Sequence, residues 1–367
     1  MKSIDLWDNP YGLYHAIVAS PPGITRRRIH QALLAPTRDR RAPSTVFTCG
    51  QAESSVLPRA RVVSPCELGS PSVDPIRGMF PLWTSDEFAL IELAQHLTDV
   101  FLPDVEPASE THSLVVRLVE QHLLQLAWRH GLPDLFDLRA QLLASSAGPT
   151  HEPLTRADGA ASLWTAQAAV VARALAEAIG RLLEMKLPCF AREATPMTHD
   201  GDRVFDLAAL RMQPDLSARA IFSSALFLKV SALQARRLPS HGSALLFDDV
   251  PDLLNLLPSH ALINHLRTTR RFGVSFIFSY SSLLQIAAGR STAAALLNTE
   301  WSILFDQRRA EIDWYRRQGR LPDGGKLLAI GDHVGVYRAS GGVPSLLNLT
   351  SQHSAPSVRL PASSLVH

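Results

Sequence analysis

The sequence predicts an α/β fold built on a mostly parallel sheet and interrupted by an all-helical stretch. Three observations carry this reading. Short apolar runs alternate with helically spaced segments near both ends of the chain, the pattern of strand–helix–strand crossovers. Between residues 85 and 186 the pattern is helical throughout, with apolar residues recurring at spacings of three and four. Finally, Ala244-Leu245-Leu246-Phe247-Asp248-Asp249 runs four apolar residues into two carboxylates. Such a run reads as a buried parallel strand that delivers acids to its C-terminal edge.

The elements follow in order. Residues 14–19 form a first buried strand that ends at Ser20-Pro21-Pro22-Gly23. Residues 25–35 have helical spacing, with Ile29, Ala32 and Leu33 on one face. Residues 44–49 are a second strand between Pro43 and Gly50, and 61–64 a third. Val73-Asp74-Pro75-Ile76 reads as a turn. Helices are expected over 88–101, 112–128 and 135–143, an exposed Ser/Gly/Pro/Thr-rich loop over 144–158, and a long Ala-rich helix over 163–187. Strands are then expected at 204–207, 244–248, 274–279 and 302–305, alternating with helices at 216–236, 257–271, 291–297 and 310–317. Residues 326–330 and 333–338 read as a closing hairpin around Gly331-Asp332, and the Pro/Ser-rich tail 351–367 as disordered. The resulting division is 1–80 and 191–350 as two parts of one core, 81–190 as a helical insertion, and 351–367 as a tail.

Composition excludes several classes. A 46% hydrophobic and 19% charged chain of 367 residues builds a sizeable core. A net charge of +2 provides no global basic field for nucleic acid. Lys2, Lys186, Lys229 and Lys326 are the lysines; every other basic residue is arginine, as a GC-rich genome would produce. Cys49, Cys66 and Cys189 are far apart and form no C-x-x-C, which argues against a zinc site or a disulfide framework and for a reducing cytoplasm. No signal peptide is expected, and the apolar run 218–235, which carries Lys229 and three serines, reads as a buried helix rather than a membrane span.

Asp248 and Asp249 match the Walker B arrangement, in which the first acid holds Mg²⁺ and the second polarises a water. No G-x-x-x-x-G-K-[ST] accompanies them. The segment standing where that loop belongs is Ser20-Pro21-Pro22-Gly23-Ile24-Thr25-Arg26-Arg27.

The order of parts resembles the C-terminal RecA-like ATPase domain of the conjugation and type IV secretion ATPases, the TraC-like branch of the HerA/FtsK superfamily. Several segments carry the resemblance. They are Pro21-Pro22-Gly23 at the loop, Val73-Asp74-Pro75-Ile76 after the third strand, and Arg203-Val204-Phe205-Asp206-Leu207 before the long helix. Leu266-Arg267-Thr268-Thr269-Arg270-Arg271-Phe272-Gly273-Val274 and Phe278-Ser279-Tyr280-Ser281 complete the set. The resemblance implies a three-layer P-loop NTPase fold with a helical insertion. It implies nucleotide contacts from Ser20 to Arg27, Mg²⁺ on Asp248, and sensor or arginine contacts from Ser279, Tyr280, Arg270 and Arg271.

The departures weaken that inheritance. Aligned on the loop, Arg26 takes the place of the catalytic Lys and Arg27 that of the Mg²⁺-binding Ser/Thr. Ile24 and Thr25 replace small residues, Asp249 replaces Glu, and Tyr280 replaces the sensor Gln. A β-branched Ile resists the backbone of a phosphate cradle, and a guanidinium is not a point ammonium. These changes point to loss of hydrolysis, with ATP and Mg²⁺ the ligands of any residual site.

The leading expectation is therefore a catalytically weak or dead relative serving as a structural or regulatory subunit of a DNA- or protein-transfer machine. Its partners would be ATPase or secretion-channel subunits or further copies of itself, in the cytoplasm or at the inner face of the membrane. The alternatives are an active translocase with an atypical loop, and a nucleic-acid-binding module using Arg26, Arg27 and Arg28 together with Arg38, Arg40 and Arg41. The scattered His112, His122, His130 and His151 lack ligand spacing, and no G-x-S-x-G supports a hydrolase triad.

Overall fold

The computed structural model describes residues 3–4, 15–39, 42–50, 56–57, 59–128, 131–146, 158–197, 201–235, 242–321, 335–338, 345–347 and 358–359. In chain order its elements are β1 (Ser3–Ile4), β2 (Ala16–Ala19), α1 (Ile24–Asp39), β3 (Ser44–Thr48) and β4 (Arg61–Val63). Then come α2 (Pro75–Gly78), α3 (Phe80–Trp83), α4 (Glu87–Phe101), α5 (Glu110–Ala127), α6 (Leu135–Ser146) and α7 (Asp158–Glu184). β5 (Arg203–Asp206), α8 (Asp215–Ala235), β6 (Ser243–Asp248), α9 (Pro251–Leu256), α10 (Ser259–Arg270) and β7 (Val274–Tyr280) follow. The chain closes with α11 (Arg290–Asn298), β8 (Trp301–Leu304), α12 (Arg309–Arg317), β9 (Gly335–Arg338), β10 (Ser345–Leu347) and β11 (Val358–Arg359).

The chain divides into two compact units. The first comprises Met1–Val63, Asp200–Arg211 and Arg236–His367, and the second Ser64–His199 and Met212–Ala235. In the first unit the strands form one mixed sheet in the order β1-β11-β10-β9-β8-β2-β7-β6-β3-β5-β4. From β8 to β4 every pairing is parallel, and from β8 outward to β1 every pairing is antiparallel. This is the mostly parallel α/β sheet that the strand–helix alternation predicts.

Strand periodicity sorts the core by face. Register sets Phe47 beside Phe205 and Phe247, and Phe247 beside Phe278. Side chains alternate across a strand, so these rings form a row on one face, with centroids 4.9, 5.2 and 5.1 Å apart. The other face carries smaller side chains, among them Val18, Leu246, Ile277 and Ile303, buried under Ile29, Leu33 and Leu34 of α1.

The second unit is helical. Asp74 does not sit in a simple turn: its Oδ1 accepts from Ile76 N at 2.9 Å and Arg77 N at 3.4 Å, capping α2, with Pro75 at the first helical position. Its Oδ2 accepts from Leu135 N at 2.9 Å, at the start of α6. Burial pushes this carboxyl up to about 7. Among the described residues α8 is the one helix long and apolar enough to cross a membrane, but 83% of its apolar window is buried inside the fold.

Some expectations need amendment. The helix expected over 257–271 begins at Ser259, because Pro258 ends the preceding segment, and a separate helix, Pro251–Leu256, precedes it. Residues 326–330 of the expected hairpin lie outside the described residues, and Gly335–Arg338 pairs with β8 and β10. Of the tail, Val358–Arg359 is described and pairs with β1 and β10. Residues 147–157 of the expected loop, and Arg40 and Arg41, also lie outside the described residues.

His15 fastens the start of β2. Its Nδ1 accepts from Phe276 N at 3.1 Å, so Nε2 carries the proton and donates to Leu266 O at 2.7 Å. Burial lowers its pKa from 6.5 to about 4, a shift opposed by the Leu266 bond and assisted by Arg270. The folded pKa lies below the unfolded one, so the stability tied to neutral His15 is present above pH 6.5 and lost as pH falls towards 4. Urea unfolding of the wild type and His15→Gln across that window should reveal a wild-type loss of roughly 3 kcal/mol that the variant lacks. Equal pH slopes for the two proteins would contradict it.

Candidate functional site

Three parallel strands end level at one edge of the sheet. Ala19 of β2 pairs with Tyr280 of β7, and Ser279 with Asp248 of β6. β2 and β6 are not neighbours, because β7 lies between them. Strands spaced about 4.8 Å apart put the two ends some 10 Å from each other. A long side chain is needed to cross that gap, and Arg26 supplies it.

Helical periodicity aims Arg26 inward. Arg26, Ile29, His30 and Leu33 share the core-facing stripe of α1, all buried. The Arg26 guanidinium donates through Nε to Ser279 Oγ at 3.1 Å and through Nη1 to Ser281 Oγ at 2.9 Å and Ser20 O at 3.5 Å. Nη2 donates to Asp248 Oδ1 in a close ion pair; the side chains are 6% and 25% exposed. His30 Nε2 bonds Ser279 Oγ at 2.8 Å and lies 4.0 Å from Asp248 Oδ1.

The second acid has its own partners. Asp249 adopts φ 56°, unusual for a residue with a side chain. Its Oδ1 accepts from Ser281 Oγ at 3.2 Å and Gln285 Nε2 at 3.4 Å. Gln285 Oε1 in turn accepts from Ser281 N and Ser282 N, and Ser282 and Gln285 form a capping box on the short 3-10 helix Leu283–Ala288. Arg211 Nη2 donates to Asp249 O at 3.1 Å. Burial pushes the nearby Cys49 thiol up to about 11, which keeps it protonated at neutral pH.

The link from β2 to α1 is short. Ser20 N already donates to Tyr280 O at 3.0 Å, and Pro21 and Pro22 have no N–H. Gly23, at φ 141°, is the one remaining donor in the link. A phosphate cradle needs several successive N–H groups aimed at one point. Ile24 is 69% exposed and turned out to solvent. Thr25 and Arg27 are half-buried and Arg28 exposed, and Arg27 has no side-chain oxygen to offer a metal.

The other expected residues are distributed by geometry. Ser279 faces the site, but Tyr280 points to the opposite face by strand alternation and is fully buried, its phenol held well above the usual range by burial. Arg270 and Arg271 end α10, just before β7 begins, and so lie at the opposite end of the sheet from Asp248. Arg271 stacks over Phe272, 4.9 Å from its centroid. The structure thus brings together Ser20, Arg26, Asp248, Asp249 and Ser279, and adds His30, Ser281, Gln285 and Arg211. Two of these additions had a sequence signal: Ser282-x-x-Gln285 is a capping-box spacing, and His30 follows Arg26 by one helical turn. Among the described residues no group of three His, Cys, Asp or Glu could hold a metal. Asp248 Oδ1, on the acid expected to hold Mg²⁺, is engaged by Arg26.

No protein-family model matches the sequence, and no curated protein matches it. Solved structures do. VirB4 of Thermoanaerobacter pseudethanolicus superposes with a TM-score of 0.64 at 14% identity, covering 95% of this chain and 93% of that one. The plasmid coupling protein TrwB in complex with the non-hydrolysable ATP analogue ADPNP gives 0.58 at 12% identity, over 95% and 87%. TrwB in complex with ADP and Mg²⁺ gives 0.57 at 12%, over 93% and 87%. The chain carries the fold of VirB4 and of the plasmid coupling protein TrwB.

Removing Asp248 leaves a buried guanidinium without its counterion. Asp248→Ala should cost about 3 kcal/mol, the low end for a broken buried pair because Asp248 is partly exposed. Asp248→Asn keeps an accepting oxygen and should cost less. Urea unfolding of the three proteins checks the order, and an unchanged midpoint for Asp248→Ala would contradict it.

Proposed function

We propose that this chain is a non-hydrolysing relative of the conjugation and type IV secretion ATPases, serving as a structural or regulatory subunit of a DNA- or protein-transfer machine. The observation that carries the proposal is the Ser20-Pro21-Pro22-Gly23 link. Two of its four residues lack an N–H and a third donates to Tyr280 O, so the link itself offers a phosphate only the Gly23 N–H, beside the first turn of α1. Arg26 and Arg27, at the positions of the Lys and the Mg²⁺-binding hydroxyl, point the same way. The similarity to VirB4 and to the plasmid coupling protein TrwB, held with ADPNP or with ADP and Mg²⁺, supports the machinery and the ancestral ligand.

In this reading residues 81–190 are a helical insertion between the two parts of the core. The subunit works in the cytoplasm, at the inner face of the membrane, and contacts an active ATPase, a channel component or a second copy of itself. Its contribution is shape rather than turnover.

The test is fluorescent ATP-analogue binding and ATP turnover by the full chain, each with and without Mg²⁺. The expected result is negligible turnover and no gain in affinity from Mg²⁺. Turnover on the order of 1 per second, lost in Asp248→Ala, would sink the proposal and favour an active translocase. DNA affinity that falls steeply with salt would favour the nucleic-acid-binding reading instead.

A further inference from the structure

We propose that Arg26 is the site's own cation: its guanidinium occupies the place a divalent ion would take against Asp248, and ties three strand ends together without any ligand. The inference rests on the reading of this chain as a non-hydrolysing ATPase relative, and deepens it by naming what replaced the ligand.

The partners of Arg26 are a cation's partners. All are oxygens: a carboxylate, Asp248 Oδ1; two hydroxyls, Ser279 Oγ and Ser281 Oγ; and a carbonyl, Ser20 O. They come from the end of β6, the end of β7 and the loop behind it, and the end of β2. Mg²⁺ demands octahedral oxygens at about 2.0–2.1 Å. The planar fork instead reaches Ser279 and Ser281 at 3.1 and 2.9 Å, and spreads over a wider ring of acceptors. Arg26 is 5% exposed, so its charge is desolvated and needs that ring.

The competition is unequal. A metal ion must come from solution and shed water, whereas the guanidinium is part of α1 and is delivered whenever the helix folds. Its stem lies on the core-facing stripe with Ile29 and Leu33, so it cannot swing out without exposing apolar surface. Asp249 is a poorer metal ligand, because Ser281 and Gln285 already engage its Oδ1. A metal–nucleotide complex would bridge the same strand ends only while bound. Here the bridge is permanent, so the edge keeps one shape at every nucleotide concentration, as a scaffold or regulator requires.

The test is Mn²⁺ binding to the full chain, followed by the EPR signal of the free ion, with no nucleotide present. The wild type should take up no Mn²⁺ that depends on Asp248. Arg26→Gln, which keeps a polar side chain but no charge, should gain a site at least about tenfold tighter than any in the wild type. That site should vanish in Arg26→Gln/Asp248→Asn. Arg26→Lys retains a cation and should stay closed to Mn²⁺, which separates charge from mere bulk. A wild-type Mn²⁺ site abolished by Asp248→Asn would overturn the proposal, as would equal Mn²⁺ affinity in Arg26→Lys and Arg26→Gln. A folded Arg26→Gln that binds none would also overturn it. A wild type that excludes Mn²⁺ but hydrolyses ATP would defeat the proposed function and leave this inference standing.

Discussion

Everything at the site follows from three parallel strands ending on one line. The register Ala19–Tyr280 and Ser279–Asp248 leaves no freedom about which residues meet. Alternation then selects the face: Ser279 and Asp248 share the face that α1 covers, and Phe247 and Tyr280 turn the other way. α1 leaves the end of β2 after four residues and runs back under that face, so its inward stripe must begin beneath the strand ends. Arg26 is the first inward residue of the helix, and it meets Asp248 because topology sends it there.

This separation of geometry from chemistry explains how the architecture survives a changed loop. The sheet is held by backbone ladders, by the row of phenylalanines on one face and by the aliphatic layer under α1 on the other. None of these depends on what lies at the strand ends. Pro21 and Pro22 can therefore stand at these strand ends with little effect on the core, since neither lies in a strand or a helix. The arginine brings its own cost, a buried charge, and Asp248 meets it.

Much of this was legible in the sequence. Apolar runs of strand length, the three-and-four spacing of the helices and the acid pair after Phe247 each reflect one local rule, and the structure keeps them. Arg26 near the acids was also within reach, because strand–turn–helix connectivity brings the start of α1 to that edge. What escaped needed either register or long-range packing. Tyr280 reads as the site residue by motif position, yet the register gives the site face to Ser279. The strand between β2 and β6 could not be seen, because sequence order says nothing of sheet order. Gln285 and Arg211 touch Asp249 from segments 36 and 38 residues away in the chain. The helix expected over 257–271 spans Pro258, although a proline before Ser259 predicts the break that separates α9 from α10.

Asp74 has a bearing on how the helical unit can be dissected. One carboxylate caps α2 with one oxygen and the first turn of α6, 61 residues later, with the other. A fragment cut anywhere between these points would keep α6 but leave its first turn without that acceptor, and an absent helix cap costs on the order of 1 kcal/mol. The boundary for any excised helical piece therefore lies upstream of residue 74, in a stretch that by composition alone reads as connector. Protease nicks or truncations that spare every long helix would still loosen one of them from a distance.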